Sequence, residues 1–378
     1  MKGIIPKIIY TLKSKNLLRK NIVEIIRRIR QDIFIKKEYF HNTENLVVFL
    51  ITPIVFKTGQ EYMSGGLLSL DSIYKESKEI FAKDKKTQVI LSTYPNSYLA
   101  TKFSQFKSNT KIFRFQQVEE YFNITKSLII HIPELLVENF LEHSKTSSFL
   151  THNKDIVHIN ILNQNIKLMP KPSVIAELKK YCRKITQTTA HNKYCNKYFR
   201  EYYNIPTHHF SVFSSPESYN PHKYVKRSRI IAYSKDIHPK KEAILKLLDT
   251  ELDNNYMLVE IKDMKYQDYR NLIEKCMFTI TFGEGLDFYF IESAFSGGVG
   301  ISVFNDDFFP PELKNTPGIF STYEELEQEI ICFIKELTDK TNYHKSNIAQ
   351  IDACANIYNY NVYKENIIDF YNERYTFK

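Results

Sequence analysis

Two glutamates, Glu284 and Glu292, bracket the sharpest local feature of the chain, FTITFGEGLDFYFIESAFSGGVGISVF (278–304), with seven residues between them. The segment reads as a strand to Phe282, a tight turn at Gly283-Glu284-Gly285, and a helix opening at Leu286 or Asp287. Glu292 then falls about two turns inside that helix, while Glu284 stands on the loop before it. Helix-start amides beside two glycines form a cradle for a phosphate or a sugar hydroxyl, which makes Gly283, Gly285, Leu286 and Asp287 ligand-binding candidates. Two histidines end or interrupt strands, His131 in SLIIHIPE and His158 in DIVHINIL, and Gln164 follows the second of these. A core histidine with satisfied nitrogens is the competing reading for both. Asp306-Asp307 also follows a strand, but adjacent acids there read as a solvated turn, and no convincing metal-binding D-x-D occurs.

These residues need a scaffold, and the apolar pattern supplies one. LVVFLIT (46–52), TQVILST (87–93), KIFRF (111–115), SLIIHI (127–132) and DIVHINIL (155–162) read as strands between helical or loop stretches, with KITQTT (184–189) as a last short strand. Residues 204–228 hold three prolines among Ser, His and Asn and read as a linker. A second series comes after it: strands at 229–234, 256–261, 277–282 and 299–304, with helices at 239–249, 266–275, 287–296 and 322–337. Such alternation argues for α/β architecture with parallel sheets covered by helices.

The strand–glycine turn–helix with its two glutamates resembles the signature of retaining GT-B glycosyltransferases. Gly297 and the strand after it look like that family's helix–glycine–strand segment, and Lys235 and Lys240 match its basic pair five residues apart after a strand. Gly65-Gly66 before a helix resembles its glycine-rich loop near donor and acceptor, and His131 resembles its strand-end histidine facing the donor sugar. The resemblance implies two Rossmann-like domains facing across a cleft. The basic arm would occupy 1–45, an acceptor-side domain 46–215, and a nucleotide-sugar-binding domain 216–345. Residues 346–378 would be C-terminal helices packing back on the first domain. It further implies that Glu292 binds the ribose, Glu284 and His131 act beside the donor sugar, and Lys235 and Lys240 neutralise the leaving diphosphate. Neither a cofactor nor a metal is implied, the nucleotide sugar being a substrate and the acceptor a glycan, lipid-linked in a surface-polysaccharide pathway.

Two other readings compete. Gly283-x-Gly285 after a strand, with Asp306 about twenty residues on, is most of a dinucleotide-binding fingerprint, although Phe288 replaces its third glycine. A non-catalytic membrane-surface module is the other. Charge bears on the latter: of a net +9, residues 1–40 carry eleven Lys or Arg against three acids, so the rest is nearly neutral and a broad nucleic-acid surface is excluded. Within 17–37, Ile22, Ile25, Ile26, Ile29 and Ile33 recur at helical spacing, the pattern of a basic amphipathic helix on an anionic membrane. No run of 18 apolar residues occurs, and the first residues lack a signal peptide's cleavage pattern. Five cysteines without C-x-x-C spacing fit a reducing, cytoplasmic compartment, with the chain held peripherally at the inner membrane face.

Overall fold

Run after run of unbroken apolar residues becomes a strand covered on both faces. Leu46 to Ile51 are all almost fully buried, as expected of a parallel sheet between two helical layers. The structure, a computed structural model, describes residues 42–51, 65–94, 112–121, 123–146, 148–211, 223–252, 255–286 and 288–378. The basic N-terminal arm and Asp287 lie outside the described residues.

The first sheet contains β1 (Asn42–Ile51), β2 (Thr87–Thr93), β3 (Ile112–Arg114), β4 (Asn123–Pro133), β5 (Val157–Asn163), β6 (Lys184–Thr189) and β7 (Thr207–His209). Their order is β3-β2-β1-β4-β5-β6-β7, all parallel. The order reverses between β1 and β4, the point at which such sheets bind ligands beyond their strand ends. The second sheet, in order β12-β11-β10-β8-β9, is also parallel. It is built from β8 (Ser228–Ser234), β9 (Met257–Ile261), β10 (Cys276–Ile280), β11 (Val299–Val303) and β12 (Ile319–Phe320). Its reversal lies between β8 and β10, the two strands that lead into the basic pair and the glycine turn.

Helices cover both sheets and join them. α1 (Gly65–Ile80) packs on the first sheet, and α2 (Lys241–Glu251), α3 (Phe288–Phe295) and α4 (Tyr323–Glu336) belong to the second. The polar C-terminus folds as α5 (Lys340–Ile357) and α6 (Tyr360–Tyr371). α5 stays with the second sheet, where Gln350 and Asn347 hold the backbone of Gly300, Gly298 and Ala294. Only α6 crosses to the first domain, burying Tyr363, Ile367 and Phe370 with Val47 and Phe49. The return expected from residue 346 therefore happens near Asn359, whose side chain caps α6 by accepting from the amides of Asn361 and Val362. β7 also departs from expectation, since it lies in the stretch read as linker. It extends the first sheet beyond β6 and forms an antiparallel bridge to Phe377. Among the described residues, no helix is long and apolar enough to cross a membrane.

Candidate active site

The glycine turn after β10 is shaped from within. Thr281 Oγ1 donates to the Gly285 carbonyl at 2.6 Å, and the Phe282 amide donates to Ser234 Oγ at 3.0 Å. Gly283 and Gly285 have φ of 76° and 85°, where a side chain is strained. At Gly285 space forbids one as well, because a Cβ would lie 2.8 Å from both the Phe309 ring and the Val303 carbonyl oxygen. This turn presents Glu284 to the first domain, where Asn165 Nδ2 donates to Glu284 Oε1 at 2.7 Å.

Asn165 follows β5 and has a second partner: its backbone amide donates to Glu134 Oε1 at 3.0 Å. Glu134 immediately follows β4, so Asn165 links a carboxyl at the switch point of one sheet to a carboxyl at the switch point of the other. Its neighbour Gln164 donates through Nε2 to the Gly66 carbonyl at 3.1 Å. Gly65 meets the second domain directly, since a Cβ there would lie 3.2 Å from the Phe288 ring at the start of α3. Glu284, Gly65, Gly66 and Gln164 are thus gathered with two residues the sequence did not single out, Glu134 and Asn165. A signal for Glu134 was present as an acid directly behind the strand SLIIHIP. Strand-end acids are usually solvated, and only the tertiary structure shows this one to be buried.

Burial pushes the Glu134 carboxyl up to about 7, with the nearby Glu284 carboxylate adding to the rise and backbone amides opposing it. Desolvation where the domains meet likewise raises Glu284, followed by repulsion from Asp236. Lys167 and the Asn165 hydrogen bond act the other way.

The basic pair behaves unevenly. Lys235 is exposed at the end of β8. Lys240 Nζ donates to Glu327 on α4 at 2.6 Å and lies 3.8 Å from Glu324, and the Glu327 bond raises its pKa. The buried cation at this strand end is the next residue, Lys241. Its ammonium donates to the Ser234 carbonyl at 2.9 Å, lies 3.3 Å from Glu260, and sits over the rings of Tyr233 and Phe282. Tyr323 stacks on His238 at 3.5 Å, and its hydroxyl accepts the Gly283 amide at 3.1 Å, so one amide of the expected cradle is held by the protein's own phenol. Glu292 is only 2% exposed and accepts a hydrogen bond from the Tyr269 hydroxyl. Leu286 is a core residue packed with Phe290 and Phe309, so only its backbone is suited to ligand contact.

His131 lies elsewhere. Its ring is fully buried, stacked on Phe49 at 4.3 Å and beside Phe370 of α6. Nδ1 accepts from Asn160 Nδ2 at 2.9 Å, and Nε2 bonds the Tyr371 hydroxyl at 3.1 Å. Neither nitrogen is left for a sugar, which corrects the placement of this histidine beside a donor. His158, bonded through Nε2 to Thr186 Oγ1 at 2.9 Å, is interior too.

No protein-family model matches the chain, and no curated protein matches it. Solved structures do match, at low identity and over most of their length. HepE of Anabaena in complex with UDP-glucose is similar at 10% identity, with 87% of this chain and 99% of that chain covered and a TM-score of 0.55. An α-glucosyltransferase in complex with UDP-glucose and abasic-site DNA is similar at 11% identity, 87% and 99% coverage and a TM-score of 0.53. Sucrose-phosphate synthase of Thermosynechococcus elongatus is similar at 9% identity, 87% and 98% coverage and a TM-score of 0.52. The chain therefore has the GT-B fold, two Rossmann-like domains whose strand-end loops meet through Asn165 and Glu284. The dinucleotide reading of the glycine turn fits this fold poorly. The turn follows β10, third in chain order within its sheet, whereas that fingerprint occupies the first strand–helix turn.

Proposed function

We propose that this protein is a nucleotide-sugar-dependent glycosyltransferase whose transfer site lies where Glu284 meets Asn165 and Glu134. The observation that carries the reading is that the switch-point loops of the two parallel sheets converge on one another through carboxyls and a carboxamide. Sugar hydroxyls are recognised by such groups, and the strand ends are where this architecture binds ligands.

In this reading Glu284 stands by the donor sugar and gains strength as positive charge develops near the anomeric carbon. Lys235 and Lys240 face the leaving diphosphate, with Lys240 exchanging Glu327 for phosphate and no metal taking part. Glu292 contacts the ribose after exchanging its bond from Tyr269. The product retains the donor's anomeric configuration. UDP-glucose, bound by two of the similar structures, is the first donor to test. The acceptor is a carbohydrate hydroxyl, on a lipid-linked precursor of a surface polysaccharide. Residues 1–40 hold the enzyme at an anionic membrane surface through their charge and isoleucine stripe.

Calorimetric titration with UDP, GDP and dTDP sugars, against NAD(P) as control, tests the reading. At least one nucleotide sugar is expected to bind and NAD(P) is not; the reverse pattern removes the proposal. The arm is tested separately by co-sedimentation with anionic vesicles, which should weaken as salt shortens the Debye length to about 8 Å at 0.15 M. Unchanged co-sedimentation at low salt after deletion of the arm would sink the membrane assignment.

A further inference from the structure

Glu134 combines features that a purely structural carboxyl lacks. It is 4% exposed, one oxygen accepts from the Asn165 amide, the amides of Gln164 and of Glu134 itself also favour its charged form, and among the described residues no hydrogen bond of normal geometry reaches the other oxygen, Oε2. Buried polar atoms are almost always paired, so an orphaned carboxyl oxygen where the loops of the two sheets meet calls for a partner. Its surroundings narrow the chemistry of that partner. Asn165 connects Glu134 to Glu284, and a second carboxylate, Asp236, bears on Glu284. The cation acting on this group is Lys167, drawn also to Asp307 at 3.0 Å. A phosphate would meet net negative charge here. A neutral molecule rich in hydroxyls would not.

We propose that Glu134 is a donor-sugar-binding residue of the transfer site, its unpaired Oε2 hydrogen-bonding a hydroxyl of the sugar held against Glu284. This rests on the glycosyltransferase reading and deepens it, adding a carboxyl from the first domain to the one from the second. The two carboxyls divide the work by protonation. With its pKa raised to about 7, Glu134 carries its proton through mildly acidic pH and donates to the sugar oxygen, while Glu284 is free to accept. A proton on Glu134 also relieves the repulsion between the pair. Sugar binding is therefore strongest below pH 7 and weakens as Glu134 ionises.

The test compares UDP with UDP-glucose, or the corresponding pair for whichever nucleotide binds, by calorimetry at pH 6 and pH 8. In the wild type the sugar's contribution to affinity should be larger at pH 6. Glu134→Ala should lower that contribution about tenfold at pH 6 while leaving affinity for the free nucleoside diphosphate unchanged. Glu134→Gln, a permanently neutral donor of similar shape, should keep the contribution and lose its pH dependence. Intact nucleotide binding shows that each variant is folded. An unchanged sugar contribution in Glu134→Ala, or a pH dependence that persists in Glu134→Gln, overturns the assignment while the glycosyltransferase reading stands. Failure of every nucleotide and nucleotide sugar to bind the wild type overturns both.

Discussion

Two polar clusters, one interior and one where the domains meet, differ in how completely their hydrogen bonds close. In the interior cluster, Asn160 Nδ2 donates to His131 Nδ1 and Thr188 Oγ1, and its Oδ1 accepts from Thr186 Oγ1. His131 Nδ1 is then an acceptor, so Nε2 carries the proton toward Tyr371, whose hydroxyl donates to Ser77, which donates to the Ile73 carbonyl. Thr186 has spent its proton on Asn160, so His158 Nε2 is the donor to it. Both rings are neutral, in keeping with burial lowering His158 to about 3 and His131 well below its ordinary value. The chain runs from β5 and β6 through β4 to α6 and α1, and fastens the returning C-terminal helix to the sheet. In the cleft cluster the chain is open, because Glu134 Oε2 has no partner among the described residues. A closed network stabilises a fold, whereas a buried group left unpaired costs free energy until a partner reaches it.

That contrast predicts opposite phenotypes. Breaking the closed network should give the largest effect: Asn160→Leu strands His131, Thr186 and Thr188 and should cost about 3 kcal/mol or more of stability. Chemical denaturation would show it, and nucleotide affinity at a temperature where the variant is folded should be unchanged. A stable Asn160→Leu protein with impaired binding would mean that the two clusters are one.

Next in size is Glu284→Gln, which should lower turnover about 10²-fold, or about 2.7 kcal/mol, with an unaltered melting temperature. Near-wild-type turnover would move the chemistry away from the glycine turn. Glu292→Gln should instead raise the donor KM and leave kcat comparatively intact, since the ribose contact proposed for it would be alike in ground and transition states.

Glu134 connects stability to pH with its own sign. Its folded pKa, about 7, lies above the ordinary glutamate value of 4.5, so the stability it contributes is present below pH 4.5 and lost as pH rises through 7. Glu134→Gln should therefore be more stable than wild type at pH 8, by up to about 3 kcal/mol, with no gain at pH 4.5. The interior histidines run the other way. Their depressed folded pKa values mean stability present above pH 6.5 and lost as pH falls toward 3. Melting curves across pH would separate the two trends, and a Glu134→Gln protein no more stable at pH 8 would mean that this carboxyl is not a strained group.

The smallest effect is expected at the basic pair. Lys240→Ala should weaken nucleoside diphosphate binding by about tenfold or less, because the wild-type lysine must first leave Glu327. A larger loss in Lys241→Ala without loss of stability would transfer the phosphate role to that buried neighbour.

Local pattern along the chain was enough for the elements that it encodes directly. Unbroken apolar runs placed most strands within a few residues, and Gly283 and Gly285 marked a turn whose positive φ values the structure shows. It could not separate a histidine in a ladder from a histidine at a cleft. SLIIHIPE carries both an interior imidazole and a cleft carboxyl three residues apart, and the strand's alternating sides and its end point decide which is which. β7 was illegible because three residues, Thr207 to His209, carry no period of their own and pair only once β6 and the chain end are in place. The polar faces of α5 and α6 hid the crossing at Asn359, since Gln350, Asn347 and Tyr371 look solvated until the carbonyls and hydroxyls they bind are brought to them. Asn165 is the clearest case. Nothing near it in the chain distinguishes it, and its role arises only because two loops 119 residues apart in sequence end opposite one another.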